Sequence, residues 1–473
     1  MKKVTKKTMW IFALGQLGWS ILAGIISNLL VNFYQPDAGS GLSTFVVQGS
    51  IFLGLTVIGI ITAIGRVFDA VTDPLIANAS DRSKNKLGKR IPFLRYSAVP
   101  FALVTVLVFC APVNGESWVN ILWLFITLMV FYISMTAYCT PYNALIPVLG
   151  KEQKDRMDIS TYISITYLLG TGIAFSAKML WSALSTSTGL EYYLSARIVL
   201  ALLAVIALIC MLIPAFLINE KDYESNEAVS VQENAFKSLG KTFKNKHFRL
   251  FVLSDILYWV GITIFNTGFL YYVENLLNIP DMYMILFIFM TLLSFLCYIP
   301  VNILTKKIGK KPMVITGFIL FAFAFLITGI FAGRTEPVIS NKIFGFIVSA
   351  LVGIPLSILG VVPQAIVADI AEEDSIATNE NHDGMFFAAR TFAFKMGQGV
   401  AMLVFTSLAI VGNVVNEEGT VVSNDGTGYR LSLYVAMAMS ILAAITLLFY
   451  NEKKVMKQIN DNHSLKASDD ISK

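Results

Sequence analysis

The sequence predicts an all-α polytopic membrane protein, with twelve transmembrane helices in two six-helix bundles and both termini cytoplasmic. Three observations predict it. The chain of 473 residues is 56% hydrophobic and only 14% charged, where a soluble domain carries about 25% charge, so water is not its main solvent. Apolar runs of about 20 residues, the length that crosses a bilayer as a helix, recur from end to end. They lack the alternation that the ~10-residue strands of a membrane β-barrel require. One long polar connection then divides the runs six and six.

The first run follows the basic "MKKVTKKTMW" and continues to about Val31. That is too long for the core of a signal peptide, so it is read as the first membrane helix. Apolar runs set against charged connections place the spans near 10–33, 46–77, 92–113, 118–149, 158–184, 193–218, 249–277, 282–305, 312–333, 342–371, 384–412 and 428–451. The resulting domains are an N-terminal bundle (1–218), a cytoplasmic linker (219–248), a C-terminal bundle (249–451) and a cytoplasmic tail (452–473). Trp10, Trp118 and Trp123 lie near span ends, as interfacial anchors do.

Charge sorts the connections. One side receives Lys2, Lys3, Lys6 and Lys7, the run from Arg82 to Arg90, Lys151, Lys154 and Arg156, then Lys237, Lys241, Lys244, Lys246 and Arg249. Lys306, Lys307, Lys310, Lys311, Lys453 and Lys454 fall there too. The other side carries acids such as Asp37, Glu116, Glu191, Glu274, Glu417 and Glu418. Positive residues stay cytoplasmic, which puts both termini inside. This topology accounts for the net charge of +5 without a nucleic-acid partner. "SDRSKNKLGKR" after the second span and "TKKIGKKP" after the eighth are both short basic turns with a glycine before a final basic pair. Two six-span halves with matching basic turns fit the major facilitator architecture.

Cys110, Cys139, Cys210 and Cys297 all lie in apolar segments, and His247, His382 and His463 in polar connections. The spacing offers neither a metal cluster nor a disulfide framework. With no nucleotide loop and no nucleophile–base pair, an enzyme is not expected, nor is a cofactor.

Ionisable side chains inside a membrane are costly, about 2.5–3.5 kcal/mol each, and tend to face a water-filled or protein-lined interior. Span 2 holds Arg66, Asp69 and Asp73, span 5 Lys178, span 7 Asp255, span 10 Asp369, and span 11 Arg390 and Lys395. At i and i+4, Asp69 and Asp73 share a helix face about 6 Å apart along the axis. Two carboxylates that close repel unless one holds a proton or a cation sits between them. A small hard cation such as Na⁺ or Li⁺ suits oxygen ligands, and H⁺ can substitute. Arg66 lies three residues before Asp69 and can restrain it. Lys395 lies midway down its span, where a span-2 carboxylate would neutralise it, and Lys178 can snorkel toward the outer surface. Asp255, near the inner end of its span, suits a structural or a functional role. Pro74 is read as the start of the exit from the membrane, and Glu372, Glu373 and Asp374 as an acidic run in the loop after span 10.

"RVFDAVTDPLIANASDRSKNKLGKRIPF", "ADIAEEDSIATNENHDGMFFAARTFAFKMG" and "GQLGWSILAGIISNLLVNFY" closely resemble the signatures of the glycoside–pentoside–hexuronide:cation symporters, a family of the major facilitator superfamily. The resemblance spans both halves. It implies cation-coupled sugar uptake by alternating access, with Asp69 and Asp73 as the cation-binding acids and Thr72 and Thr136 as further oxygen ligands. It also implies that Lys395 links the cation and sugar sites. The acids that grip galactosyl hydroxyls in the family's melibiose carriers fall on Ser20 and Cys139, the helix-4 aromatic on Asn143, and the helix-5 arginine near Thr161. An α-galactoside is therefore not expected. A less negative cavity suits a hexuronide or other anionic glycoside, and a neutral pentoside or disaccharide also fits.

Gln16, Trp19, Ser20, Tyr138, Asn143 and Trp259 are the candidate sugar contacts, aromatic faces for the ring and polar groups for its hydroxyls. The expected protein is a monomer in the plasma membrane. Two other functions are weighed. Relatives of this fold move lysophospholipids, which need a continuous apolar stripe that Gln16, Ser20 and Asn143 interrupt. A non-transporting membrane sensor would carry a soluble domain that the tail "NDNHSLKASDDISK" is too short to supply.

Overall fold

The hydroxyl of Thr5 accepts the Thr8 N–H at 3.2 Å and caps α1, Lys6–Tyr34. The computed structural model describes residues 3–37, 42–52, 54–150, 152–223, 240, 242–333, 339–378, 383–415 and 421–471. Of the residues named above, Lys2, Lys151, Lys237, Lys241, His382, Glu417, Glu418 and most of the connection 219–248 lie outside them. After α1 come β1 (Ser50–Phe52) and β2 (Leu55–Thr56), then α2 (Val57–Asp81), α3 (Ile91–Val108), α4 (Trp118–Leu149), α5 (Gln153–Thr188) and α6 (Tyr192–Leu217). The later elements are α7 (Lys246–Tyr271), α8 (Tyr283–Ile308), α9 (Lys310–Phe331), α10 (Asn341–Thr378), α11 (Asp383–Ala409), β3 (Asn413–Val415), β4 (Val421–Asn424), α12 (Thr427–Leu448) and α13 (Glu452–Ile471).

Eleven of these helices are long and apolar enough to cross a membrane. The twelfth in position is α2, which bears Arg66, Asp69 and Asp73 within its length. Leu202, Ile209, Leu296 and Ile299 are each more than half exposed, while Asn120, Asp69 and Glu220 are fully buried. That inversion is what an apolar solvent selects.

Three boundaries differ from the expected ones. The second span starts at Val57, not 46, because Ser50–Phe52 pairs antiparallel with Leu55–Thr56 through a turn at Gly54 (φ +81°). Thr56 then caps α2 by accepting the Gly59 N–H at 3.2 Å. Pro74 does not end or break the helix, since α2 runs through it to Asp81. A membrane helix tolerates the one missing N–H. Glu372, Glu373 and Asp374 are not in a loop but inside α10, where Asn245 Nδ2 donates to Glu373 (3.3 Å) and Asp374 (2.9 Å).

By internal contact the chain divides into two units, Met1–Val231 with Gly419–Ser423, and Gln232–Glu418 with Asn424–Lys473. Within the first, α1 packs on α5 and α6, α3 on α4 and α6, and α2 on α4. Within the second, α7 packs on α11 and α12, α9 on α10 and α12, and α8 on α10. Shifted by six helices, the two patterns are the same, so each half is one copy of a common bundle.

The same cap closes the basic turn of each copy. Glu220, just after α6, accepts the N–H groups of Arg90 (2.7 Å) and Ile91 (3.2 Å) at the start of α3. Glu452, just after α12, accepts those of Lys310 (2.9 Å) and Lys311 (3.1 Å) at the start of α9. A carboxylate there satisfies orphan amides and complements the positive end of the helix dipole. Gly88 (φ +111°) and Gly309 (φ +95°) supply the turn before each cap. A Cβ on Gly88 would lie 2.8 Å from that of Glu220, which explains the glycine shared by the two basic turns. Arg90 Nη2 also reaches Asp81 at 3.2 Å, and Lys310 Nζ holds Asp369 at 2.6 Å.

Because Glu220 is fully buried, Glu220→Ala should cost about 3–5 kcal/mol by leaving Arg90 and two amides without it. Glu452→Ala, at a more exposed cap, should cost about 1 kcal/mol. Thermal unfolding of the detergent-purified variants measures both, and the Glu220 variant should melt well below the other.

Candidate functional site

In α2, Arg66, Asp69 and Asp73 recur at i, i+3 and i+7 and so share one face. Asp69 faces α4. It is fully buried, and the Thr136 hydroxyl donates to its Oδ1 at 2.9 Å. Its Oδ2 lies 4.0 Å from Arg66 Nη1, close enough for coulombic attraction and too far for a hydrogen bond. The Arg66 guanidinium carbon sits 5.5 Å from the centre of the Tyr132 ring, a cation–π distance. Gly65 makes room for that ring, since a Cβ there would come within 2.5 Å of Tyr132 Cε2.

Arg66, Asp69 and Thr136 are thus brought together. Tyr132 completes the cluster and was not anticipated, although its i, i+4 spacing from Thr136 is a readable signal. Thr72 is buried beside them, but its hydroxyl donates to the Asp69 carbonyl at 3.1 Å, back onto the helix. Asp73 is half-buried one turn further on.

Carboxylate and hydroxyl oxygens, without nitrogen or sulfur, are the donor set of a hard cation. Among the described residues no group of three or more His, Cys, Asp or Glu could hold a metal ion. The oxygens of Asp69 and Thr136, with Asp73 one turn on, are of the kind a monovalent cation or a proton takes. On the cation-binding reading proposed below, Thr136→Val is expected to weaken Na⁺ binding about tenfold by removing the hydroxyl that donates to Asp69, and Thr136→Ser to retain it. Na⁺ titration of purified protein by calorimetry checks the pair.

The candidate sugar contacts of the first unit fall in two settings. On α1, Gln16 and Ser20 are buried and bonded to each other, Nε2 to Oγ at 2.9 Å, while Ser20 Oγ donates to the Gln16 carbonyl at 2.6 Å. Trp19 beside them is half-buried, with its indole Nε1 buried and without a hydrogen-bond partner among the described residues. On α4, Tyr138 is buried, and its hydroxyl reaches across to donate to the Met211 carbonyl of α6 at 2.9 Å. Asn143 is exposed. The spaced glycines of α1 are close-approach points, with Gly18 against α6 at Ala207 and Met211, and Gly24 against Ala174 of α5.

Trp259 and Lys395 belong to the second unit, on α7 and α11. Trp259 stacks on Phe394 with ring centres 4.7 Å apart, and its buried Nε1 likewise has no hydrogen-bond partner among the described residues. Lys395 is half-buried. Asp255 and Arg390 form a buried bidentate pair. Of the expected interfacial anchors, Trp10 and Trp118 are exposed, and Trp123 donates to the Leu107 carbonyl at 2.9 Å.

Two six-helix repeats of one packing pattern, sheathed in apolar side chains, are the architecture of a multi-pass membrane protein of the major facilitator fold. The chain is 22% identical over 472 residues to the "Isoprimeverose transporter" of Lactiplantibacillus pentosus, covering 96% of this chain and 91% of that one. It is 23% identical over 431 residues to the "Sodium-dependent lysophosphatidylcholine symporter 1-A" of Danio rerio, covering 83% and 77%. The crystal structure of a D-xylose–proton symporter superposes with a TM-score of 0.65 at 14% identity, over 94% of this chain and 98% of that one. The chain belongs to the MFS/sugar transport protein family, whose model matches residues 11–453.

Proposed function

We propose that this transporter is a cation-coupled symporter for a glycoside, working by alternating access in the plasma membrane with both termini cytoplasmic. The observation that carries the coupling is the buried Asp69, bonded to Thr136 at 2.9 Å with Arg66 4.0 Å away. A fully buried carboxylate is expensive to desolvate and is retained in a membrane for an ion or proton pathway. Asp73 and Thr72 are the further oxygens of the site, and Lys395 is the residue through which the sugar senses the cation. Na⁺, Li⁺ and H⁺ all suit the donor set.

For the cargo, the buried indole N–H of Trp19, beside Gln16 and Ser20 on α1, favours a hydroxyl-bearing ligand, and Trp259 carries the same feature within the second unit. A buried donor left without an acceptor costs about 1–3 kcal/mol, and a sugar hydroxyl offers the missing acceptor. Gln16, Ser20 and Asn143 supply the remaining polar contacts. Tyr138, with its hydroxyl engaged by Met211, serves instead to hold the bundle. The Danio rerio relative's name makes an amphiphile the competing cargo. Quenching of tryptophan fluorescence separates the two. Isoprimeverose or a hexuronide should quench in a way that depends on Na⁺, Li⁺ or pH and lysophosphatidylcholine should not, and the reverse order would replace the glycoside by the lipid.

A further inference from the structure

We propose that Asp255 and Arg390 are positioning residues whose buried pair sets the rotation of α11 on α7, and with it the direction in which Lys395 is presented. The proposal rests on the coupling role given to Lys395 above. Asp255 and Trp259 lie one turn apart on α7, and Arg390 and Phe394 one turn apart on α11, so the seam carries two rungs in register. The first is polar: Arg390 Nε donates to Asp255 Oδ2 at 2.8 Å and Nη2 to Oδ1 at 3.1 Å. The second is aromatic, with Trp259 and Phe394 stacked at 4.7 Å and 28°. Beyond them Gly397 lets the helices close, since a Cβ there would stand 3.2 Å from the Ile256 carbonyl oxygen.

Lys395 follows Phe394 by one residue, a turn of about 100° around the helix axis. Whatever fixes Phe394 on Trp259 therefore fixes where Lys395 points. A stack alone can slide and tilt, whereas a guanidinium fork on a carboxylate admits one geometry. Stability does not demand such a pair, because apolar replacements of buried pairs are often neutral or stabilising. Both partners are more than nine-tenths buried, which makes precise placement their use.

The test replaces the native cysteines Cys110, Cys139, Cys210 and Cys297 with serine, introduces Lys395→Cys, and follows N-ethylmaleimide labelling of that thiol in membranes. Arg390→Lys keeps the charge that Asp255 needs but loses the fork. It should change the labelling rate by up to about 100-fold at unchanged membrane abundance, the effect an ångström of misplacement has on a reacting group. The exchange Asp255→Arg with Arg390→Asp should return the rate toward its starting value. Should Arg390→Lys fail to accumulate in membranes, Asp255→Glu, which lengthens the other arm, takes its place with the same expectation. An unchanged labelling rate in whichever of these is present overturns the proposal. Labelling needs no substrate, so should the parental protein, with Lys395 in place, move none of the glycosides with Na⁺, Li⁺ or H⁺, the transport reading fails, while a shifted labelling rate leaves the positioning role standing.

Discussion

Asp69→Asn is expected to abolish cation-driven accumulation of the glycoside, lowering uptake at least about 100-fold, the upper end of what disturbed ligand sets cost. Membrane abundance should stay at the parental level. The asparagine is isosteric and can still accept from Thr136, whose hydroxyl is 2.9 Å from Oδ1. What it lacks is the negative charge that attracts a cation and faces Arg66 at 4.0 Å. Radiolabelled uptake in vesicles, with abundance measured in the same membranes, separates lost coupling from lost protein.

Gly18→Leu should act at the other end of the chain of cause, on the fold. A Cβ at position 18 would meet the Ala207 carbonyl oxygen far inside contact distance and stand 2.7 Å from Met211 Cγ. The Ala207 oxygen belongs to the α6 backbone and cannot swing aside as a side chain can. The two helices would have to separate along the seam. Overpacking of this kind costs about 1–3 kcal/mol where side chains can yield, and more where they cannot. Little folded protein should reach the membrane, as fluorescence-detected size exclusion would show. Gly172→Ala, where an added Cβ meets nothing within 4 Å, is the control expected to behave as wild type.

The fold was legible wherever its cause was one-dimensional. Runs of apolar residues fix the spans, and charged connections separate them, so α4 was placed to the residue. The start of α2 was not legible, because the apolar letters just before Val57 serve the hairpin of Ser50–Phe52 with Leu55–Thr56 as well as they would a helix. Only the turn at Gly54 and the cap at Thr56 decide between them. The carboxylates at 69 and 73 stood out because charge inside an apolar run needs a reason. Their neighbours were harder. Tyr132 reads as one more aromatic until α4 is laid on α2, and Asp255 and Arg390 lie 135 positions apart in the chain. The Glu220 and Glu452 caps could have been found, since "NEK" follows the sixth and the twelfth span alike, but a triplet carries little weight until both glutamates are seen on the same pair of amides.

Uptake by purified protein in sealed proteoliposomes is the most direct measurement of the central claim. Isoprimeverose and a panel of hexuronides would be offered with an inward gradient of Na⁺, Li⁺ or H⁺, and again with the gradient collapsed. At least one of these glycosides should rise inside above its outside concentration when a cation gradient is imposed, and only equilibrate without it. The Asp69→Asn protein should never exceed equilibrium. Accumulation that ignores the cation gradient, or that persists in the Asp69→Asn protein, would overturn cation-coupled symport through Asp69.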